Sequence, residues 1–198
     1  MTASRSFPNR QRLLGPETAA VLITPRLSLR RPRLADAADF FAYAREEAVA
    51  RYVLWDSHRH MRDSRQALRA ILARSKSQGA ETFAICLKKS DSLIGTIGPV
   101  WLDWGNLSCE VGFSLGRPYW GQGLMTEALE AFLRHAFYDL GLNRVEGQYD
   151  LLNPASGRVM AKAGMIREGE LRQRLYYKGR YADVGLYAAI RETWPQNS

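Results

Sequence analysis

Arg117-Pro-Tyr-Trp-Gly121-Gln-Gly-Leu-Met-Thr-Glu-Ala-Leu129 is the stretch in which the apolar period of this sequence changes from two to 3.6. Before it, Cys109, Val111, Phe113 and Leu115 alternate with Glu110, Gly112 and Ser114, which predicts a strand over 107–115. After it, Leu124, Ala128, Leu129, Phe132, Ala136 and Phe137 form one apolar face, predicting a helix over 123–140 that Gly141 stops. Pro118 cannot donate to a ladder, so the strand ends there.

The helix begins without a Ser, Thr, Asp or Asn to cap it. Its first N–H groups therefore lack partners, and the helix dipole adds positive potential at the same place. Gly121 and Gly123 remove the side chains that would keep an anion from the backbone, so main-chain amides of Gly121, Gln122, Gly123, Leu124, Met125 and Thr126 form a candidate diphosphate site. The dinucleotide fingerprint fails, because position 126 is Thr and no parallel strand–helix–strand unit precedes it; the Walker pattern lacks its Gly-Lys-Ser/Thr.

Toward the N-terminus, runs at 82–88, 93–102 and 107–115 with short turns between them predict an antiparallel meander. Helical spacing marks 34–48, with a stripe of Ala38, Phe41, Ala42 and Ala48, and 64–77, closed by Gly79. A strand is expected over 22–30, with Pro25 at its beginning. Toward the C-terminus follow a strand at 144–149, a helix at 153–163 closed by Gly164, and strands at 165–175 and 182–191 around the Lys178-Gly179 turn. The order predicts one α/β domain of the α+β type over 21–194, with a mixed, mostly antiparallel sheet of about seven strands flanked by about four helices. Residues 1–20 read as a flexible extension without a secretory signal.

The chain has 198 residues and a formal charge of +8, with the cations spread along it rather than gathered into a nucleic-acid motif. Such a surface suits a polyphosphorylated ligand and disfavours a polycationic substrate. No apolar run approaches the ~18 residues of a membrane span. Cys86 and Cys109 lie in strand-like segments without an activating partner, which fits buried thiols and a cytoplasmic setting. His58 and His60 lack the further ligands of a metal site, so none is assigned. The aromatic segment from Tyr52 to Met61 is a candidate border of a substrate groove.

Glu110-Val-Gly-Phe-Ser-Leu115, the glycine segment with its flanks, Asn153-Pro-Ala-Ser156 and Lys162-Ala-Gly-Met165 together resemble the GNAT N-acetyltransferase superfamily, and Thr24-Pro-Arg-Leu-Ser-Leu-Arg30 is most similar to its RimJ/RimL branch. The resemblance covers nearly all of the chain after the extension. It implies acetyl-coenzyme A as co-substrate, with the pantetheine arm along the main chain of Phe113, Ser114 and Leu115, the diphosphate on Gly121–Thr126, and further contacts from Asn153 and Ser156. It also implies direct transfer to a primary amine, most simply the N-terminal α-amine of a protein, with a ribosomal protein as partner. A small-molecule amine, or a coenzyme- or ribosome-binding module without catalysis, are the alternatives. Monomer and homodimer both remain open.

Glu110, on the polar face of its strand, is the candidate general base; the alternative is that it pairs with an Arg across the sheet. Two departures from the superfamily pattern stand out. Pro118 occupies the position, three before the first glycine, where Gln or Arg is common, and Met160 occupies one where many relatives carry an acidic Tyr. The resemblance leaves Ser156 as the candidate acid.

Overall fold

The computed structural model describes residues 20–79 and 81–195; the expected extension lies almost wholly outside them. Among the described residues one eight-stranded sheet runs in the order β1 (Leu22–Ile23), β2 (Leu27–Arg30), β3 (Phe83–Leu87), β4 (Leu93–Asp103), β5 (Ser108–Leu115), β6 (Arg144–Asp150), β8 (Arg180–Ile190), β7 (Ile166–Tyr177). Every neighbouring pair is antiparallel except β5 and β6. The helices are α1 (Ala37–Ala44), α2 (Glu47–Ala50), α3 (Met61–Gln78), α4 (Leu124–Arg134) and α5 (Pro154–Lys162). None of the described helices is long and apolar enough to cross a membrane.

Alternation along β3 explains the layering. Phe83 and Ile85 join the cluster that holds Leu129, Phe132 and Phe137, whereas Ala84 and Cys86 join Phe40, Tyr43 and Leu68. Successive residues of a strand face opposite ways, so α4 covers one face of the sheet and α1 with α3 the other. The meander of β3, β4 and β5 is as the turns predicted. The crossover through α4 makes β6 parallel to β5, as a connection of that length allows.

Three local expectations are corrected. The strand expected over 22–30 breaks at Thr24–Arg26, because the Thr24 hydroxyl accepts the Leu27 N–H at 2.9 Å and turns the chain, which leaves Pro25 in the bend. The helix expected over 34–48 is a 3₁₀ turn at 34–36 followed by α1 and α2, and its buried face is Ala37, Phe40, Tyr43 and Ala44 rather than Ala38, Phe41 and Ala42. Alanines on both sides of the helix hid the direction of the stripe, and Phe41 instead lies under the Arg45 guanidinium, 5.5 Å from its ring centre. The long helix is regular only to Arg134 and closes through one π turn, His135–Asp139.

Candidate active site

The parallel ladder between β5 and β6 covers only Ser108–Glu110 against Arg144–Glu146. Beyond it β5 continues to Leu115 paired with β4 alone, and β6 continues to Asp150 paired with β8 alone. The two strands splay, and the facing edges from Val111 and from Gly147 onward are left without a ladder partner. Met160 of α5 is fully buried behind this opening, so close that a Cβ on Gly147 would lie 2.7 Å from its Sδ. A thioether in that position fills space and has no proton to give. The splay opens into a groove of about 940 Å³. An unpaired strand edge offers an extended, amide-bearing ligand a ladder of donors and acceptors.

At one end of the groove lies the start of α4. Gly121 and Gly123 have φ of +73° and +75°, a left-handed backbone that glycine adopts without strain. Gly123 precedes the first helical residue and no side chain caps the helix. A Cβ on Gly121 would meet nothing within 4 Å. Gln122 turns away, its Nε2 donating to the Pro118 carbonyl at 2.8 Å. The first helical bond runs from Glu127 N–H to the Gly123 carbonyl at 3.1 Å, so the amides of Leu124, Met125 and Thr126 stand at an open helix entry on the groove wall. These features fit a diphosphate.

At the mouth of the splay, Glu110 accepts hydrogen bonds from Trp101 Nε1 at 2.8 Å and from Gln148 Nε2 at 3.3 Å. No ion pair to it is found among the described residues, so the alternative of an Arg partner across the sheet does not hold. Burial raises its pKa above the ordinary carboxylate value; the charge of Glu146 adds to the rise, while the Trp101 bond and the more distant Arg174 oppose it. Glu146, level with it across the parallel pair, is instead ion-paired with Arg144 at 2.9 Å. Trp101 reaches Glu110 because a bulge at Pro99–Trp101 shifts the β4 register, pairing Pro99 with Val111 but Trp101 with Glu110. A proline inside a strand run is the sequence signal for such a bulge, and it was there to be read.

On the other wall, Asn153 precedes α5 but its side chain makes no cap; its Nδ2 donates to Ser156 Oγ at 2.9 Å. That bond occupies an acceptor site of the hydroxyl and leaves its proton free to point elsewhere. Phe113, Ser114 and Leu115 line the groove along the unpaired edge of β5. Ser114 Oγ shares a hydrogen bond with Thr96 Oγ1 at 3.2 Å, and the Leu115 carbonyl accepts from Trp120 Nε1 at 2.7 Å. Every residue expected at the site thus borders one cavity apart from Gln122, whose side chain ties the glycine loop together.

The aromatic segment also borders the groove, through Tyr52, Trp55 and His58. Lys178, in the β7–β8 turn, donates to the carbonyls of Ala50 and of Trp55 and so fixes that segment. Sequence reasoning missed a buried polar cluster beside it, in which the Asp150 carboxylate accepts from Tyr177, Arg180 and the Leu152 N–H. Burial pushes both Cys86 and Cys109 up to about 12, too high for a reactive thiolate. His58 shares a hydrogen bond with Ser64 at 2.8 Å, and burial lowers its pKa.

Comparison with known proteins gives the arrangement its context. Residues 26–166 match the Acetyltransferase (GNAT) domain family. The chain is 31% identical over 173 residues to the uncharacterized N-acetyltransferase p20 of Bacillus licheniformis, covering 87% of this chain and 97% of that protein. It is 35% identical over 102 residues to the ribosomal-protein-serine acetyltransferase of Escherichia coli, covering 52% and 57% of the two chains. Among solved structures, a GNAT-family acetyltransferase from Bacillus anthracis superposes with a TM-score of 0.78 at 25% identity, over 87% of this chain and 99% of that one.

Proposed function

The chain belongs to the GNAT N-acetyltransferase family and moves an acetyl group from acetyl-coenzyme A to an amine, and from that premise we propose that its acceptor is the N-terminal α-amine of a protein, a ribosomal protein being the first candidate. The observation that carries the reading is Glu110: a carboxylate with no ion-pair partner among the described residues, raised in pKa, at the point where β5 and β6 part.

Attack by an amine on a thioester needs a neutral nucleophile held in line with the carbonyl carbon. An α-amine has a reference pKa of about 7.7–8.0 and is partly neutral near pH 7, whereas a lysine amine at about 10.4 is protonated by roughly a thousand to one. A carboxylate with a modestly raised pKa suffices for the former. Glu110 takes the proton, directly or through one water, while Trp101 and Gln148 hold its position. The main chain of Phe113 to Leu115 aligns the pantetheine arm, and the amides of Gly121 to Thr126 hold the diphosphate. Ser156, oriented by Asn153, returns a proton to the leaving thiolate. A formal charge of +8 disfavours polyamines and aminoglycosides as acceptors. Similarity to a ribosomal-protein-serine acetyltransferase and to a ribosomal protein uS5-alanine N-acetyltransferase of Escherichia coli supports the same choice. Two buried, unactivated thiols suit a reducing, cytoplasmic setting.

Consumption of acetyl-coenzyme A with a panel of peptides tests the reading. Turnover is expected with free N-termini and abolished when the same peptides are blocked there. Turnover confined to lysine side chains or small amines would replace the acceptor, and binding without turnover across the panel would favour a module that has lost catalysis.

A further inference from the structure

We propose that Arg26, in the turn between β1 and β2, is a further coenzyme-binding residue that presents a cation to the diphosphate at the start of α4. The inference rests on the reading of Gly121–Thr126 as the diphosphate site and adds to it a residue nearly a hundred positions away in sequence.

The guanidinium is held from two sides. Its Nε donates to Glu127 Oε2 at 2.6 Å and its Nη1 to the Gln122 carbonyl at 2.8 Å, while the Arg26 main-chain N–H donates to Glu127 Oε1 at 2.8 Å. Thr24 Oγ1 donates to the same oxygen at 2.6 Å. A guanidinium is planar, so fixing two of its nitrogens fixes the third. That third nitrogen, Nη2, has no hydrogen-bond partner among the described residues and lies 3.5 Å from where a Cβ on Gly123 would stand. The side chain is half exposed, at 50%, so it stands at the lip of the loop rather than inside the protein. Two nitrogens of the fork are thus engaged by the protein, and the third stands beside the entry of an uncapped helix.

The charges explain why the fork is needed. Glu127 lies in the first turn of α4, where an uncompensated carboxylate would repel a diphosphate. Burial pushes its pKa up, but the hydrogen bonds from Thr24 and from the Arg26 main chain and side chain outweigh that and hold it below the usual carboxylate range, so it stays ionised and paired. The pair draws the negative charge outward toward the β1–β2 turn and leaves the cation on the side of the glycines. Three positions before Gly121 stands Pro118, which carries no cation. Arg26 supplies one from outside the loop.

Arg26 also braces the loop through Gln122, so the test must separate a contact from a brace. Steady-state kinetics with acetyl-coenzyme A and with S-acetylpantetheine, which lacks the diphosphate, do this for Arg26→Ala and Arg26→Lys, with melting curves confirming that each variant folds. For Arg26→Ala the KM for acetyl-coenzyme A is expected to rise about tenfold or more, as loss of a charge-assisted hydrogen bond gives, while kcat, the KM for the acceptor and turnover of S-acetylpantetheine stay near wild type. Arg26→Lys retains the charge but not the fork and is expected to fall between; it carries the test if the alanine variant fails to fold. Equal losses with both donors would mean that Arg26 supports the site as a whole, a loss confined to acetyl-coenzyme A with an unchanged salt dependence of its KM would reduce Arg26 to a brace of the loop, and no loss with either would overturn the proposal. If the wild-type protein itself used both donors equally well, the diphosphate site would fail, whatever Arg26 does.

Discussion

Helices α3 and α4 both carry an acid in their first turn, yet only one of them is closed by it. In α3 the Asp63 carboxylate folds back and accepts the main-chain N–H groups of Arg59 and His60 at 2.9 and 2.8 Å. In α4 the first-turn acid, Glu127, sits one residue further into its helix and binds Thr24 and Arg26 instead, and glycine stands where a capping residue would be. The first arrangement satisfies the helix from within and serves stability. The second leaves donors and dipole open, at a cost in stability that a bound anion offsets. Acidic residues near a helix start thus say little about binding until their partners are known.

The largest way to sharpen this contrast is to remove the chemistry without touching either helix. Glu110→Gln keeps the shape of the side chain and loses the base, so kcat is expected to fall by about 10²–10⁴-fold while calorimetry finds unchanged coenzyme A affinity. The wild-type profile should carry its own mark. Glu110 acts as a base only when deprotonated, and its pKa is raised by burial, so kcat/KM should decline on acidification through a limb lying above the ordinary carboxylate range. A Glu110→Gln enzyme that kept full kcat would remove the carboxylate from the mechanism.

Filling the open helix start comes next in size. At Gly121 an added methyl meets no protein atom within 4 Å, so in the free protein Gly121→Ala costs only the strain of a positive φ, about 1–2 kcal/mol. The methyl would occupy the space assigned to the ligand. Coenzyme A affinity is expected to fall at least about tenfold with a modest change in Tm. An unchanged dissociation constant in the folded variant would place the ligand elsewhere.

The legible and the hidden parts of this molecule divide by range. The meander, the handover at Gly121–Gly123 and the buried face of α4 could be read because period and glycine position act within a few residues. The break at Thr24–Arg26 could not, since it is held partly by Glu127, whose partners lie about a hundred positions away. The face of α1 was misread because alanine reports burial weakly, and Tyr43 was not counted among the apolar residues although it is buried. At the site, Glu110 was visible from alternation along its own strand. The partners that hold it, Trp101 and Gln148, depend on a bulge in β4 and on the splay of β5 from β6, both of which arise between strands. Pro118 is legible in the sequence, but the place of Arg26 beside the loop depends on how β1 and β2 lie against α4.

The smallest expected effect lies at the closed helix start and checks the comparison from its other side. Asp63→Ala should lower Tm at neutral pH and leave both kcat and coenzyme A affinity unchanged, because α3 contributes no open donor to the groove's diphosphate end. The pH dependence follows from the direction of its shift. Hydrogen bonding from the main chain, His60 first, depresses the Asp63 pKa below the ordinary carboxylate value. A depressed carboxylate stabilises the fold above its unfolded pKa and loses that contribution as pH falls through the folded one. The gap in Tm between wild type and Asp63→Ala should therefore be widest near neutrality and narrow on acidification. A gap that stayed constant with pH would mean that the side chain acts by packing rather than by charge, and the contrast between a sealed and an open helix entry would lose its electrostatic half.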